Sequence, residues 1–263
     1  MSAVALVRGL VPERAHLVYL RNVLAYKRAW RVIFSGFFEP VFYLFAAGIG
    51  LGELVGVLDF GERSVDYATF VAPALLAASA MNGSVADSTF NVFEKLKWTR
   101  LYESMLATPI SARDIALGEI AWSQTRGLIY GVAFLVVATV FGLVESWAAV
   151  LALPAASLVG FAFGGLGMAA TTYMRNWQDF DYVNLVTLPL FLFSATFYPL
   201  EVYPDWAQQV ALVSPLYHGV ELIRAATLGI WSPWLVGHAV VLTGVAAIGL
   251  TVASRRIQRL LVV

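Results

Sequence analysis

The sequence predicts an all-α membrane protein that crosses the bilayer six times. First, 60% of its 263 residues are hydrophobic and 13% are charged, with a mean hydropathy of +0.75. So little polar surface cannot cover a water-soluble globule of this size. Second, six apolar runs approach or reach the length that spans a hydrocarbon core of roughly 30 Å. Third, the basic residues collect in alternate connections between these runs.

The sequence predicts a single transmembrane domain, 1–263. The ends of the apolar runs set the bounds of its segments. The predicted transmembrane helices are 32–51, 67–92, 115–141, 147–173, 182–197 and 234–253. The other predicted segments are an interfacial amphipathic helix at 12–31, a basic loop at 93–114 and an external re-entrant helical hairpin at 198–230. Residues 1–10 are too short and too weakly basic to indicate a signal peptide, and we expect them to be retained.

The interfacial helix is predicted from a seven-residue spacing of Arg14, Arg21 and Arg28, with apolar residues such as Leu17 and Leu24 on the opposite face. A basic amphipathic helix lies in the membrane interface and is attracted to anionic headgroups. The alternative is a solvated helix that packs on its own protein.

The first two transmembrane helices carry polar residues that are costly in lipid. Glu39 precedes Pro40, which favours a kink that directs the carboxylate inward, whereas a glutamate near the interface could instead reach water. The far half of the second helix contains Asn82 and Asp87 among other polar residues, so this half should line a bundle interior or a wet vestibule.

The third helix carries Glu119, Ser123 and Arg126 at the i, i+4 and i+7 positions of one face. This spacing suits a polar stripe whose charges compensate one another within the helix. The fourth helix contains Gly160, Gly164, Gly165 and Gly167, which indicates backbone-to-backbone helix packing.

The segment 198–230 is half apolar but is interrupted by Pro199, Pro204 and Pro215. We expect two short helices that dip part-way into the membrane and return, shielded by protein.

The distribution of basic residues orients the chain. With the N-terminus inside, the inside segments hold fourteen of the 17 basic residues, the outside segments hold Arg63 and Arg224, and Arg126 lies within the third helix. This asymmetry predicts that both termini are cytoplasmic.

The sequence lacks the motifs of an enzyme. It contains no cysteine, no GxxxxGK[ST] phosphate loop and no GxSxG nucleophile turn. Its three histidines are widely spaced. We therefore expect no catalytic residue, no bound metal and no ATP site in this chain.

Three stretches resemble the permease subunits of ABC-2 type transporters, notably drug and nodulation-factor (lipo-oligosaccharide) exporters. They are FFEPVFYLFAAGIGLG (37–52), LYESMLATPISARDIALGE (101–119) and FYPLEVYPDWAQQVALVSPLYHGVELIRAATLG (197–229). The resemblance implies export of an amphipathic or lipid-linked substrate across a bacterial inner membrane. It also implies two separate ATPase subunits that bind ATP and Mg²⁺, a second copy or a related permease, and lipid contact. We expect no nucleic-acid partner.

The resemblance also implies a cytoplasmic coupling helix at 99–108. Its apolar side chains would enter a groove of the ATPase while its polar side chains stay in water. The candidate coupling residues are Arg100, Leu101, Glu103, Met105, Leu106 and Pro109.

In the family that these stretches resemble, the substrate route runs near the first, second and fifth helices. The candidate pathway-lining residues in this sequence are Phe38, Glu39, Phe42, Asn82, Asp87, Phe191, Phe193 and Phe197. Aromatic side chains that face lipid are the alternative for the phenylalanines.

Two other classes of function are open. A proton-coupled secondary transporter could use Glu39, Asp87 and Glu119 as proton carriers, although the two halves of the chain show no convincing repeat. An intramembrane hydrolase could pair a serine, Ser194 or Ser214, with His218 or His238, although neither serine lies in a glycine-framed motif.

Overall fold

The computed structural model describes residues 13–27, 38–61 and 63–261, most of which are helical. The predicted interfacial helix and the first predicted transmembrane helix are therefore described only in part. The predictions for Arg28 and for the side chain of Glu39 fall outside the described part of the chain.

Eleven α-helices and two short strands are described. The helices are α1 (Ala15–Tyr26), α2 (Phe38–Tyr43), α3 (Leu51–Val55), α4 (Tyr67–Ala86), α5 (Leu101–Leu106), α6 (Ala112–Val140), α7 (Ala152–Thr171), α8 (Phe180–Phe193), α9 (Asp205–Val213), α10 (Pro215–Leu228) and α11 (Trp234–Leu261); the strands are β1 (Val57–Phe60) and β2 (Arg63–Asp66). Wider π-helical turns connect α2 to α3 and extend α4.

Four helical segments are long and apolar enough to cross a membrane. They are Tyr67–Trp98, Ala112–Val140, Trp147–Thr171 and Trp234–Leu261. They match the second, third, fourth and sixth predicted transmembrane helices. The first of these four continues to Trp98, beyond the predicted end at residue 92, because its last turns bury Leu96 against the bundle.

The fifth predicted transmembrane helix is shorter than expected. Helix α8 has 14 residues and ends at Phe193 rather than Phe197. Ala195 adopts a left-handed backbone conformation with φ of 54°, and its carbonyl accepts a hydrogen bond from the buried Arg224 guanidinium at 2.8 Å. A left-handed residue whose carbonyl is bound by a side chain cannot continue the helix.

The acidic connection after α3 contains a β-hairpin that the sequence pattern did not reveal. Strands β1 and β2 pair antiparallel, with Val57 opposite Asp66 and Phe60 opposite Arg63. The Phe60 ring lies 5.4 Å from the ring of Phe70 on α4. The hairpin therefore covers the first turn of α4.

Helix α7 occupies the centre of the bundle and packs against α11 through glycine. A Cβ atom added to Gly249 would lie 2.6 Å from the backbone carbon of Gly165. The two helices thus touch backbone to backbone, as the glycine pattern predicts. Gly160 and Gly167 instead make room for the side chains of Gln124 and Ser88.

Helices α9 and α10 form the predicted helical hairpin. Helix α10 packs against α4, α7 and α11, and a Cβ on Gly219 would collide with the Val159 side chain at 2.2 Å. The carbonyl of Thr227 accepts hydrogen bonds at 3.0 Å from the amides of Glu145 and Ser146. The hairpin is therefore fixed to the end of the bundle opposite α5.

Candidate functional site

The candidate site lies at the end of the bundle where the loop 93–114 connects two spanning helices. Arg100 adopts a left-handed conformation with φ of 48°, which interrupts the helical path after Trp98 and precedes α5. Ser111 then caps α6: its hydroxyl accepts from the Asp114 amide at 3.1 Å, and the Asp114 carboxylate accepts from the Ser111 amide at 2.9 Å. This reciprocal capping box fixes where α6 begins.

Helix α5 is held by an apolar cluster of its own bundle. Tyr102 is fully buried, and Met105 and Leu106 pack against that cluster, which includes Ile115 and Ile257. Met105 and Leu106 are therefore only partly accessible, and their insertion into a partner groove stays a prediction. Their own bundle offers the apolar surface that an amphipathic helix needs.

The face of α5 that points away from the bundle is polar. Glu103 and Ser104 are exposed, as are Thr108 and Pro109 just beyond the helix. The Arg100 side chain is 73% exposed, and its Nε lies 4.0 Å from the Glu103 carboxylate. Among the predicted coupling residues, Arg100, Glu103 and Pro109 are thus the most accessible, while Leu101 is half-buried.

Tyr102 anchors α5 to the bundle. Burial raises the pKa of the Tyr102 phenol well above its ordinary value, and the nearby Glu119 carboxylate raises it further. The phenol is therefore neutral at physiological pH. A neutral, completely buried ring fixes the position of the helix that carries it.

Helix α1 lies along the start of α6. Gly118 allows this close approach, because a Cβ there would lie 2.6 Å from the Ala15 carbonyl oxygen and 2.6 Å from the Val18 Cβ. The rings of Tyr19 and Tyr26 contact Trp122 at centroid distances of 6.0 and 5.2 Å. Helix α1 is thus firmly packed on its own protein.

The outer face of α1 is apolar. Leu17, Leu20 and Leu24 are 45%, 50% and 68% exposed. Arg14 and Arg21 are only half-exposed, and the amide of Arg14 donates to Asp114 at 2.8 Å. The exposed leucine stripe is typical of a helix that rests on lipid, whereas the arginines lie toward the bundle.

A buried polar cluster of Asn22, Lys95 and Glu119 joins α1, α6 and the segment Tyr67–Trp98, which consists of α4 with its π-helical extension and is called the α4 segment below. The Lys95 Nζ lies 2.6 Å from the Glu119 carboxylate. The Asn22 amide donates to the same carboxylate oxygen at 2.9 Å, and Lys95 donates to the Asn22 carbonyl at 3.3 Å. We refer to it as the Lys95–Glu119 cluster.

Arg126 is also paired across helices. It forms an ion pair with Asp87, which additionally accepts from Asn91 at 2.8 Å. The prediction that Glu119 and Arg126 compensate each other within α6 is therefore wrong. Both charges find partners on the α4 segment, because a neighbouring helix brings an opposite charge within direct contact.

Four of the five predicted pathway-lining phenylalanines form two pairs. Phe38 and Phe42 stack at 5.9 Å on α2, and both are exposed. Phe191 contacts Phe197 edge to face at 5.2 Å, and Phe193 is 40% exposed. Each pair joins residues that are close in the sequence, and neither pair links two of the helices predicted to line the pathway.

The predicted polar pathway residues differ in environment. Asn82 is exposed on α4, whereas Asp87 is partly buried in its ion pair and borders a small cavity with Ser123. Only the backbone of Glu39 is described. The structure therefore does not bring Asn82 and Asp87 together into one site.

In the part of the chain that the structure describes, the serines considered for a hydrolase do not contact the histidines. Each serine is paired with the other serine, and each histidine with the other histidine. The Ser194 and Ser214 hydroxyls lie 2.6 Å apart, and the Nδ1 atoms of His218 and His238 lie 2.6 Å apart. In the described residues these serines therefore lack the base that nucleophilic catalysis requires. The same residues contain no group of three or more acidic, histidine or cysteine side chains placed to hold a metal.

The bundle, with its four helical segments long and apolar enough to cross a membrane, defines an integral membrane protein. The chain belongs to the ABC-2 type transporter family, whose model matches residues 14–228. It is 35% identical to Nodulation protein J of Rhizobium leguminosarum bv. viciae over 214 residues, covering 81% of each chain. It is 36% identical to Nodulation protein J of Sinorhizobium fredii over 214 residues, covering 80% of each chain.

Sequence reasoning missed Asn22, Lys95 and Arg224 as structural residues. Asn22 follows Val18 by four positions and therefore lies on the same face of α1. A polar residue among apolar ones on that face indicates a buried polar contact. The distribution of basic residues uses Lys95 and Arg224 only to orient the chain and gives neither of them a partner. Arg224 is 1% exposed, and its guanidinium lies 4.0 Å from the centroid of the Phe70 ring.

Proposed function

We propose that the chain is the permease subunit of an ATP-driven exporter for an amphipathic or lipid-linked substrate, such as a drug, a lipo-oligosaccharide or a glycolipid. Two separate ATPase subunits bind ATP and Mg²⁺ and dock on α5. A second copy of the chain, or a related permease, completes the pathway. The exporter lies in a bacterial inner membrane, with both termini of this chain in the cytoplasm.

The observation that carries this proposal is the two-sided packing of α5. Its inner side chains, Tyr102 and Met105, are fixed in the bundle, while Glu103 and Ser104 face outward. A partner that moves the outer face must therefore move the apolar cluster with it. The displacement passes to the α4 segment and to α6, which flank α5 closely on either side.

The chain is fixed at both ends of α5, which favours passing a displacement of this helix to its neighbours. The left-handed Arg100 defines the start of α5 on one side, and the Ser111 capping box fixes the start of α6 on the other. Arg14 also donates a hydrogen bond to the Pro109 carbonyl. Helix α1 is therefore coupled to the same motion.

The buried ion pairs disfavour the proton-coupled alternative. A proton carrier must be released from its partners as it is protonated, yet Asp87 is paired with Arg126 and Glu119 with Lys95. Inhibition of transport by vanadate supports the ATP-driven exporter. Inhibition only by a proton uncoupler refutes it.

The substrate class rests on the relatives and on the exposed apolar surface of α8. The similar proteins are named for nodulation, and their family resemblance suggests a lipo-oligosaccharide. Leu185, Val186 and Leu188 on α8 are 69%, 59% and 58% exposed. This surface suits a lipid-linked substrate or a second permease.

The test substitutes the two faces of α5 separately. Ser104→Trp adds bulk to the outward face, and we expect at least a tenfold loss of ATPase copurification and of transport. Permease stability should change by no more than about 0.5 kcal/mol, because the site is exposed. Met105→Ala should instead lower the free energy of unfolding by about 1–2 kcal/mol, less than full burial would give.

The matched control is Ser64→Trp, which adds the same bulk to an exposed serine of β2. It should leave ATPase copurification unchanged. Normal docking of the Ser104→Trp variant would show that α5 is not the docking surface. Equal defects at positions 64 and 104 would point to general damage and would also remove the support for α5.

A further inference from the structure

A groove of about 620 Å³ opens between the α4 segment, α7 and α8. Most of its wall is apolar, with Val85 from α4, Phe163 and Leu166 from α7, and Val186 and Leu190 from α8. Its volume lies within the roughly 300–1,000 Å³ of typical ligand sites. At membrane depth, such a groove is filled by hydrocarbon.

The mouth of the groove is polar and cationic. Tyr173 and Arg175 line it beyond the end of α7. The Arg256 guanidinium of α11 lies 4.2 Å from the centroid of the Tyr173 ring. In the described ranges, neither Arg175 nor Arg256 has a carboxylate partner within salt-bridge distance.

One acidic residue also lines the mouth, and its charge is already engaged. The Asp179 carboxylate accepts hydrogen bonds from the backbone amides of Arg175 at 2.6 Å and of Asn176 at 3.4 Å. These bonds hold the loop between α7 and α8. Arg175 in the lining and Arg256 over the Tyr173 ring thus give this end of the groove two cationic groups against one hydrogen-bonded carboxylate.

We propose that this groove binds an anionic glycerophospholipid, with an acyl chain between α7 and α8 and the phosphate at Arg175 and Arg256. Arginine matches phosphate oxygens with two parallel donors. Cationic pockets between membrane helices recognise anionic lipid headgroups in this way. The proposal is independent of the role assigned to α5.

Charge favours a lipid over a second copy of the chain in this groove. A two-fold axis here would bring the same surface of both copies together, and with it Arg175 and Arg256 from each. Like charges at such an interface oppose association. An α-helix, about 10 Å across, is also a poorer fit to a slot between two helices than an acyl chain.

The experiment measures lipid retained by the purified permease in mild detergent, using native mass spectrometry. Phosphatidylglycerol, phosphatidylcholine and inorganic phosphate are offered separately. We expect phosphatidylglycerol to be retained over phosphatidylcholine, and phosphate alone to bind weakly because it cannot use the groove. The double variant Arg175→Gln/Arg256→Gln should retain phosphatidylglycerol about tenfold less.

Two further variants separate the headgroup site from the groove. Ala170→Trp fills the groove from its open side and should abolish retention of both lipids. Arg255→Gln removes a neighbouring exposed charge and should change nothing. The lipid-free melting temperature of each variant must match the unmodified protein, which excludes misfolding as the cause.

Several results would overturn the proposal. These are equal retention of the two lipids by the unmodified protein, an unchanged preference in the double variant, and phosphate binding as tight as lipid binding. A change of oligomeric state in the Ala170→Trp variant with normal lipid retention would assign the groove to a second copy instead.

Discussion

Removing Lys95 should destabilise the protein more than removing the charge of Glu119. The side chains of Lys95 and Glu119 are 14% and 5% exposed, and their charged atoms lie 2.6 Å apart. Lys95→Met leaves the more deeply buried carboxylate without its cation. Glu119→Gln leaves an ammonium group that is closer to water and keeps an acceptor for Asn22.

The magnitude follows from the cost of an unpaired buried charge. Breaking a buried ion pair by removing one partner costs about 3–5 kcal/mol. Glu119 retains the hydrogen bond from Asn22 at 2.9 Å, so we expect the lower end, about 3 kcal/mol, for Lys95→Met. That is on the order of a hundredfold in the unfolding equilibrium constant. Glu119→Gln should cost about 1–2 kcal/mol.

The assay is reversible denaturant unfolding in detergent micelles, with the double variant Lys95→Met/Glu119→Leu as the third arm. The double variant removes both charges and should recover to within about 1 kcal/mol of the unmodified protein. Equal stability of Lys95→Met and the unmodified protein would refute the reasoning. A double variant less stable than Lys95→Met would refute it as well.

Three other predictions concern different parts of the molecule. Gly118→Val should detach α1 from α6, detectable as faster proteolysis within residues 13–27, because its Cβ has no room; an undisturbed α1 would contradict the packing. Burial lowers the pKa of His218, and the neighbouring His238 lowers it further. The neutral His218 ring therefore stabilises the folded protein fully above about pH 6.5, and this stabilisation is lost as the pH falls through the lowered pKa. His218→Gln should flatten the dependence of the melting temperature on pH below 6.5, and an unaltered profile would assign that dependence to other groups. Single cysteines at Asp205 and Trp231 should react with an impermeant thiol reagent from outside the cell, whereas cytoplasmic labelling of either would overturn the predicted topology.

The long helices could be predicted because membrane solvation acts on each of them separately. Apolar runs such as Trp147–Thr171 can be recognised as membrane spans by length and composition alone. The prolines at 199, 204 and 215 likewise break helices locally, which is why two short helices could be expected within 198–230.

The side-chain partners could not be predicted, because they depend on which helices become neighbours. Lys95 and Glu119 are 24 residues apart, and Asn22 is 97 residues from Glu119. The apolar pattern of α5 predicted that Met105 would enter a groove of another protein, and it carried no information on the apolar surface that this side chain contacts in its own bundle. The β1–β2 hairpin was missed because strands of four residues carry almost no periodic signal.

The early end of α8 has a consequence for the surrounding bilayer. Fourteen residues rise about 21 Å along a helix axis, whereas the hydrocarbon layer is roughly 30 Å thick. Where α8 faces lipid, local thinning of the membrane toward the α9–α10 hairpin would relieve this hydrophobic mismatch. A bilayer thinned in this way brings its two headgroup layers closer together beside α8 than elsewhere around the protein.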